Sequence, residues 1–400
     1  MTDKTHKMLP YGRQVIDDDD IAAVEAVLRG DFLTTGPVVG AFEAALAERV
    51  EAEFAVACSS GTAALHLAAL ALGLDEDTTA VVPTLTFLAT ANAARYVGAE
   101  VAFADVDPET GLMTAETLAA AKARAEDAGR NVSAVFPVHL NGQCVDLKAI
   151  REVATDVRVA EDACHVLGGT YGNFPVGSCR YSDMAMFSFH PVKTIAMGEG
   201  GAITTNDADL AEKLQRFRNH GMVREHSRFE SETLAFDASG APNPWYYEMP
   251  EPGFNYRASD IHCALGLSQM AKLDSFVAAR NALVARYDEL LPELHPLVRP
   301  VARVGGGQPA WHLYAVRIDF EAAGIARGAV MKALRDRGVG TQVHYLPVHL
   351  QPYYQRRYGT ISLPGAEAYY GAVLSLPLFE TMTNDDVERV VETLADVLRS

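Results

Sequence analysis

The chain has 400 residues, 49% of them hydrophobic, and a formal net charge of −18. That length suits two to three domains, and the apolar fraction can bury a large core and excludes a disordered chain. The acidic balance argues against a general nucleic-acid binder and against a polybasic membrane-surface protein.

No run of 18 apolar residues occurs, so no transmembrane helix is expected. Residues Met1–Tyr11 lack an apolar stretch, so no secretory signal is expected either. Asp17-Asp18-Asp19-Asp20 precedes a helix over Ile21–Leu28. A metal site is one reading; an acidic first turn complementing the helix dipole is the plainer one.

Phe54–Cys58 reads as a strand and Thr62–Leu72 as a helix. Further strands fit Thr79–Val82, Glu100–Phe103, Ala134–Val138, Arg158–Glu161 and Met184–Phe189. Helices fit Phe87–Tyr96, Thr114–Ala128 and Leu147–Ala154 between them. Strands separated by helices of this length mean βαβ units and a mostly parallel sheet covered on both faces. Gly172-Asn173 signals a tight turn. Arg224–Pro252, with its Pro, Gly, Ser, Glu and Trp, reads as an excursion or lid.

The second half changes character. Ser259–Lys272 and Asp274–Leu291 are amphipathic helices, and Trp311–Phe320 alternates like a half-exposed strand. Arg327–Arg337 is helical, Val339–Tyr345 reads as a strand and Asn384–Leu398 as a closing helix. The expected organisation is a large α/β domain over 1–250 and a smaller α+β domain over 251–400.

Cys58, Cys144, Cys164, Cys179 and Cys263 form no C-x-x-C pair. A reducing cytoplasm is therefore the default, without a zinc ribbon or disulfide framework. No H-E-x-x-H, Walker A or G-x-G-x-x-G sequence occurs, and Gly305-Gly306-Gly307 reads as a loop. His344 and His349 lack the third and fourth ligands that zinc wants, so no metal is expected.

In an open α/β sheet, ligands bind beyond the carboxyl ends of the strands. Four features fall at such ends. Ser59-Ser60-Gly61-Thr62 opens an apolar helix, where backbone amides can meet an anion. The ordinary alternative is a helix cap. Glu161-Asp162 ends a strand; a carboxylate there can cap a helix, bind a metal or pair with a protonated ring nitrogen.

Lys193 follows Ser188-Phe189-His190-Pro191-Val192 and precedes Gly198-Glu199-Gly200-Gly201. A lone lysine is usually a solvated surface residue. An apolar setting can instead lower its pKa and make a nucleophilic amine. Phe87 could stack on a flat ring, core packing being the alternative.

Together these supply an anion cradle, a ring-nitrogen partner, a nucleophilic lysine and a stacking aromatic. That set is what pyridoxal 5'-phosphate needs. Asp162 would keep the pyridine nitrogen protonated, and Lys193 would hold the cofactor as a Schiff base and then shuttle the proton.

The sequence resembles the DegT/DnrJ/EryC1/StrS sugar aminotransferases over nearly its whole length. Matching pieces include Leu33-Thr34-Thr35-Gly36-Pro37, Ser60-Gly61-Thr62-Ala63-Ala64-Leu65-His66 and Glu161-Asp162-Ala163. Others are Phe187–Lys193, Asn219-His220-Gly221-Met222, Gly253-Phe254-Asn255-Tyr256-Arg257 and Gln342-Val343-His344-Tyr345. The resemblance implies a fold type I pyridoxal-phosphate aminotransferase. It gives Lys193 the Schiff-base role and Asp162 the ring-nitrogen role. Ser60, Gly61, Thr62 and Ser188 would bind the phosphate, with Asn255 reaching across from the other subunit of a homodimer. His165 and Phe87 would lie against the cofactor ring. Tyr11, the segment Asp31, Phe32, Leu33 and Thr34, and the segment Gln342, Val343, His344 and Tyr345 fall in substrate-contacting regions.

Within the family, Phe189–Ile195 and Trp245–Met249 look most like the pseudaminic-acid branch, which aminates C4 of UDP-2-acetamido-2,6-dideoxy-β-L-arabino-hex-4-ulose with glutamate as donor. Perosamine-type and 4-amino-arabinose-type enzymes share the scaffold. A related dehydratase class has histidine in place of the lysine, which Lys193 argues against. A regulator on the same fold would have no use for Lys193, Asp162 and the cradle together. Cys58-Ser59-Ser60 stands where many relatives have an Asn-Ser pair, and Ser227–Pro244 looks longer than in compact relatives. Arg218, His220 and Arg224 are candidate anion contacts.

Overall fold

Strands that are apolar on both faces must be covered on both faces, which favours a parallel sheet with helical crossovers. A computed structural model describing residues 8–294 and 296–399 has this architecture. The first strands are β1 (Phe54–Cys58), β2 (Thr79–Pro83), β3 (Glu100–Ala104), β4 (Val132–Val135) and β5 (Arg158–Asp162). A small hairpin follows, β6 (Thr170–Tyr171) and β7 (Phe174–Pro175), turning at Gly172 with φ of 58°. Then come β8 (Met184–Ser188) and β9 (Gly201–Thr205).

The large sheet has the order β1-β9-β8-β5-β4-β2-β3, and β9 alone runs against the rest. The carboxyl ends of β1, β2, β5 and β8 therefore open on one side. β9 carries Thr204 and Thr205, which are polar yet fully buried. Their hydroxyls donate to the carbonyls of Gly177 and Asp183, each at 2.8 Å. That removes the cost of burying them.

The crossover helix Gly61–Ala71 is alanine-rich and buried along most of its length. Alanine has the best intrinsic helix propensity, and its small side chain lets the helix lie close to the sheet. Leu65 and Leu67 are sealed in the same core, each contributing roughly 2 kcal/mol by leaving water.

The second unit is an antiparallel sheet of β10 (Val298–Pro300), β11 (Tyr314–Ile318) and β12 (Val373–Leu376). Its core gathers Leu283 and Tyr287 from helix Leu273–Leu290 with Val390 and Leu394 from helix Asn384–Arg399. Two readings of this half need correction. The strand expected over Trp311–Phe320 is shorter and buried throughout, because both of its faces are covered. Val339–Tyr345 is not a strand. It pairs with Leu9 at Val339 and with Ser375 at Gln342, changing partner before a ladder can extend.

Helix Asp260–Met270, beyond the boundary expected at 250, packs on helices Asp18–Leu28 and Pro37–Val50 of the large unit. The N-terminal arm also joins both units. Leu9 exchanges backbone hydrogen bonds with Gly338 and Gly340, at 2.9 and 2.8 Å, before the chain enters helix Asp18–Leu28. Asp18, Asp19 and Asp20 form the acidic first turn of that helix, as the plainer reading of the run expects, and Asp17 caps it in a capping box with Asp20.

The excursion over 224–252 has two short helical turns and exposes Leu234, Trp245, Tyr247 and Met249. Glu248 holds it together, accepting from the amides of Glu230 and Ser231 at 2.7 and 2.8 Å. Among the described residues, no helix is long and apolar enough to cross a membrane.

Helix Pro37–Val50 starts at Gly36, which has no side chain to cap it. The buried Asp260 does so from a distance, accepting from the amides of Gly36 at 2.8 Å and Val38 at 3.0 Å. Asp260→Ala should lower the unfolding free energy by roughly 2 kcal/mol in urea titrations. Asp260→Asn, which keeps one acceptor, should lose less; unchanged stability in both would refute the remote cap.

Candidate active site

Side chains alternate across a strand, so neighbours at a strand end face opposite ways. Glu161 turns into the core, where it meets His139 Nε2 at 2.9 Å and accepts from Ser182. Asp162 turns the other way, into a cavity of about 620 Å³ beyond the carboxyl ends of the strands. It is 5% exposed. Thr90 Oγ1 donates to one of its oxygens at 2.7 Å and the Cys164 amide to the other at 3.2 Å.

Ser60 ends the loop after β1 and caps helix Gly61–Ala71, its hydroxyl accepting from the Ala63 amide at 3.1 Å. The helix therefore directs its N-terminal dipole end at the cavity, a favourable place for an anion. Gly61 is required by close approach: a Cβ there would lie 2.7 Å from Ser188 Cβ at the end of β8. Thr62 and Ser188 line the same wall.

Lys193 sits on the loop between β8 and β9. Part of its side chain is open to the cavity, while protein surrounds its amine. Burial lowers the amine pKa, and Arg280 adds to the effect; Cys164 and Asp162 oppose it. The loop is braced from behind. Gln269 accepts from the Ala196 amide at 3.2 Å and donates to Val15 O and Asp20 Oδ2 at 2.9 and 2.7 Å.

The remaining wall is aromatic. Tyr345 lies 6.0 Å, ring to ring, from Phe87 and hydrogen-bonds His165 Nε2 through its hydroxyl at 3.2 Å. His344 accepts from or donates to Ser375 Oγ at 2.8 Å and packs on Tyr11. Burial, with the nearby Lys193 charge, pushes the His344 imidazole down to about 3. His165 is held well below the ordinary imidazole value by burial first, then by Lys193 and His344. Burial likewise raises the Tyr345 phenol, so it stays protonated.

Ser60, Gly61, Thr62, Phe87, Asp162, His165, Ser188 and Lys193 thus meet in one cavity, joined by Tyr11, Gln342, Val343, His344 and Tyr345. Asn255 and Asp31–Thr34 do not line it. Asn255 is exposed and bridges Asn219, while Thr34 bridges Ser259 and Phe32 and Leu33 are exposed. Arg218 is corrected as an anion contact: it is taken up by Glu43 and the Ala57 carbonyl. Arg224 lies over the Tyr247 ring.

Thr90 and His312 also belong to the site and have no sequence signal of their own. Thr90 is found only through its position three residues after Phe87, one helical turn on.

The cavity fits pyridoxal phosphate by its chemistry. It offers a helix N-terminus for the phosphate and a doubly held carboxylate for the ring nitrogen. It also holds a primary amine of lowered pKa, and a buried His165 Nδ1 without a partner. On a mostly parallel sheet, this is the arrangement of the fold type I pyridoxal-phosphate aminotransferases. The chain belongs to the DegT/DnrJ/EryC1/StrS aminotransferase family, whose model matches residues 14–395.

A curated relative, the spore coat polysaccharide biosynthesis protein SpsC of Bacillus subtilis, is 36% identical over all of this chain and 99% of its own. Among solved structures, Helicobacter pylori PseC is an aminotransferase involved in the biosynthesis of pseudoaminic acid. It superposes with a TM-score of 0.86 at 27% identity, covering 98% of this chain and 99% of its own. DesI, solved in the presence of its TDP-sugar product, gives a TM-score of 0.83 at 31% identity over 98% of this chain and 93% of its own. The protein is a sugar aminotransferase.

An enclosed amine binds its proton less tightly than the same amine in the unfolded chain. Unfolding then takes up a proton between the two pKa values, so Lys193 weakens the fold below the ordinary lysine value. Lys193→Met should raise the melting temperature of the cofactor-free protein at neutral pH. The gain should vanish as pH climbs past about 10.4. A gain that grows with pH would contradict the enclosed amine.

Proposed function

We propose that this chain is a pyridoxal-phosphate-dependent transaminase. It moves the amino group of L-glutamate to C4 of a nucleotide-linked 4-keto-6-deoxy sugar. The observation that carries the reading is the single cavity in which Lys193, Asp162 and the helix start at Ser60–Thr62 converge. When bound, pyridoxal phosphate supplies an electron sink for breaking a Cα–H bond.

Ser60, Gly61, Thr62 and Ser188 would hold its phosphate, Asp162 its ring nitrogen, and Phe87 and His165 the two sides of its ring. Lys193 would anchor it. Its amine, held back from protonation by burial, then takes a proton from one carbon and returns it to another. Both substrates depend on that one amine, so turnover follows ping-pong kinetics.

The sugar is UDP-2-acetamido-2,6-dideoxy-β-L-arabino-hex-4-ulose, which places the enzyme in pseudaminic acid biosynthesis. Full-length likeness to PseC supports this, as do the segments Phe189–Ile195 and Trp245–Met249. Tyr11 and Gln342–Tyr345 line the cavity where a sugar ring would enter. The net charge of −18 does not oppose a nucleotide diphosphate, because affinity follows the local field of the cleft.

The test is a panel of nucleotide-linked 4-keto sugars with glutamate, with the position of the new amine read by NMR. The UDP-linked arabino sugar should be preferred and Lys193→Ala should abolish turnover while remaining folded. Preference for a GDP-linked sugar would indicate a perosamine-type enzyme, and for a UDP-linked 4-keto pentose an arabinose-type one. No turnover with any of these sugars would refute the substrate reading.

The working unit we propose is a homodimer. Asn255, exposed and outside the cavity of its own chain, would reach the partner's cofactor phosphate. Exposed Phe32, Leu33, Trp245 and Tyr247 provide apolar surface to bury between copies. Sedimentation should find a dimer, and Asn255→Ala should release cofactor more readily at unchanged oligomeric state. An active monomer would rule this out.

A further inference from the structure

His312 lies in the turn before β11, among residues with no evident chemical task. A buried histidine in such a place is ordinarily packing. Three observations set this one apart. It is 4% exposed, yet it lines the cavity that holds Lys193. Its ring sits 4.4 Å from that of His165, tilted by 53°. Its Nδ1 is buried and has no partner.

The backbone at His312 is clamped on both sides. Its amide donates to the Asn141 carbonyl at 3.0 Å, and its carbonyl accepts from Arg280 Nη1 at 3.0 Å. Both anchors are firm. Asn141 is 1% exposed and donates to the Tyr369 hydroxyl at 3.0 Å. Arg280 is fully buried and paired with Glu380 at 2.7 Å. The imidazole therefore projects from a point that cannot shift without disturbing two buried polar networks.

What it meets is a ring that must be aimed. His165 must turn Nε2 to the Tyr345 hydroxyl to make the 3.2 Å hydrogen bond between them. No side chain holds its other nitrogen. A His165 ring flipped about Cβ–Cγ would present Cε1 to Tyr345 and lose this hydrogen bond.

Resting on the transaminase reading above, we propose that His312 is a positioning residue: it sets the ring plane of His165 and, through it, the hydroxyl of Tyr345 in the cavity. Burial holds both imidazoles well below their ordinary value. Lys193 and His344 act in the same sense on both, and His165 and Arg280 do so on His312. Two neutral rings can pack this closely at a tilt without charge repulsion. A neutral imidazole has one donor and one acceptor, so its orientation decides what it offers to Tyr345.

The test uses His312→Leu, which removes the ring face but keeps apolar volume. With ¹⁵N-labelled histidine, assigned by His165→Gln, the holoenzyme should show His165 in one neutral tautomer. In His312→Leu the two tautomers should mix.

Kinetically, kcat should fall roughly ten- to a hundredfold through misplacement, at unchanged KM for glutamate. The double variant with Tyr345→Phe should be no worse than Tyr345→Phe alone, because both changes remove the same contact. Unaltered His165 resonances in His312→Leu would overturn the proposal, whatever the kinetics; so would fully additive losses in the double variant. A wild-type enzyme that aminates no keto sugar would retire the substrate reading alone, and the tautomer measurement would still decide the role of His312. If His312→Leu does not fold, His312→Gln, which also lacks a ring, takes its place with the same outcomes.

Discussion

The structure turns on keeping an amine of lowered pKa and a carboxyl group in one sheltered space. Water would stabilise the charged form of both and blunt their differences. Away from it, each group must be held by something else. Asp162 has Thr90 and the Cys164 amide. Lys193 has no such direct partner, and burial shifts it towards its neutral form. The sheet makes the shelter, because the carboxyl ends of the neighbouring strands β5 and β8 deliver the two groups to one side.

This constraint explains features that look incidental. Glu161 and Asp162 are adjacent acids with unrelated fates. One is hydrogen-bonded in the core by His139 and Ser182, and the other faces the cavity, simply because a strand turns successive side chains to opposite sides. The reversed strand β9 brings Gly201 so close to Ser60 that a Cβ would stand 2.2 Å from its carbonyl oxygen. The glycine turn after Lys193 thus lets the lysine loop fold back against the anion-binding helix start.

The large unit was legible because its signals are local. Apolar runs, glycine turns and hydroxyl-rich helix starts marked β1, β2, β5 and β8, and the motifs at their ends are the ones that meet in the cavity. What escaped was set by distant partners. β9 escaped because its threonines satisfy their hydroxyls on carbonyls of other segments. Val339–Tyr345 has the composition of a strand, but the chain beside it offers only single residues to pair with. Thr90 and His312 carry no motif, and their place depends on which helix face and which turn the fold brings to Asp162 and His165. Asp31–Thr34 and Asn255 stand outside the cavity of their own chain, a position that follows from tertiary packing and not from their motifs.

The arm at the start of the chain has a consequence for how the molecule is made. Leu9 docks on Gly338 and Gly340, and the Tyr11 carbonyl accepts from the Leu378 amide. During synthesis Leu9 and Tyr11 leave the ribosome well before residues 338–378 and find no partner until those have followed. The large sheet can assemble early, since domains generally fold as units during synthesis. The sugar-facing wall cannot. Tyr11 joins it only when the last strand and the loop before the closing helix are in place, so an incomplete chain could form the lysine side of the cavity and still lack the surface that would choose a substrate.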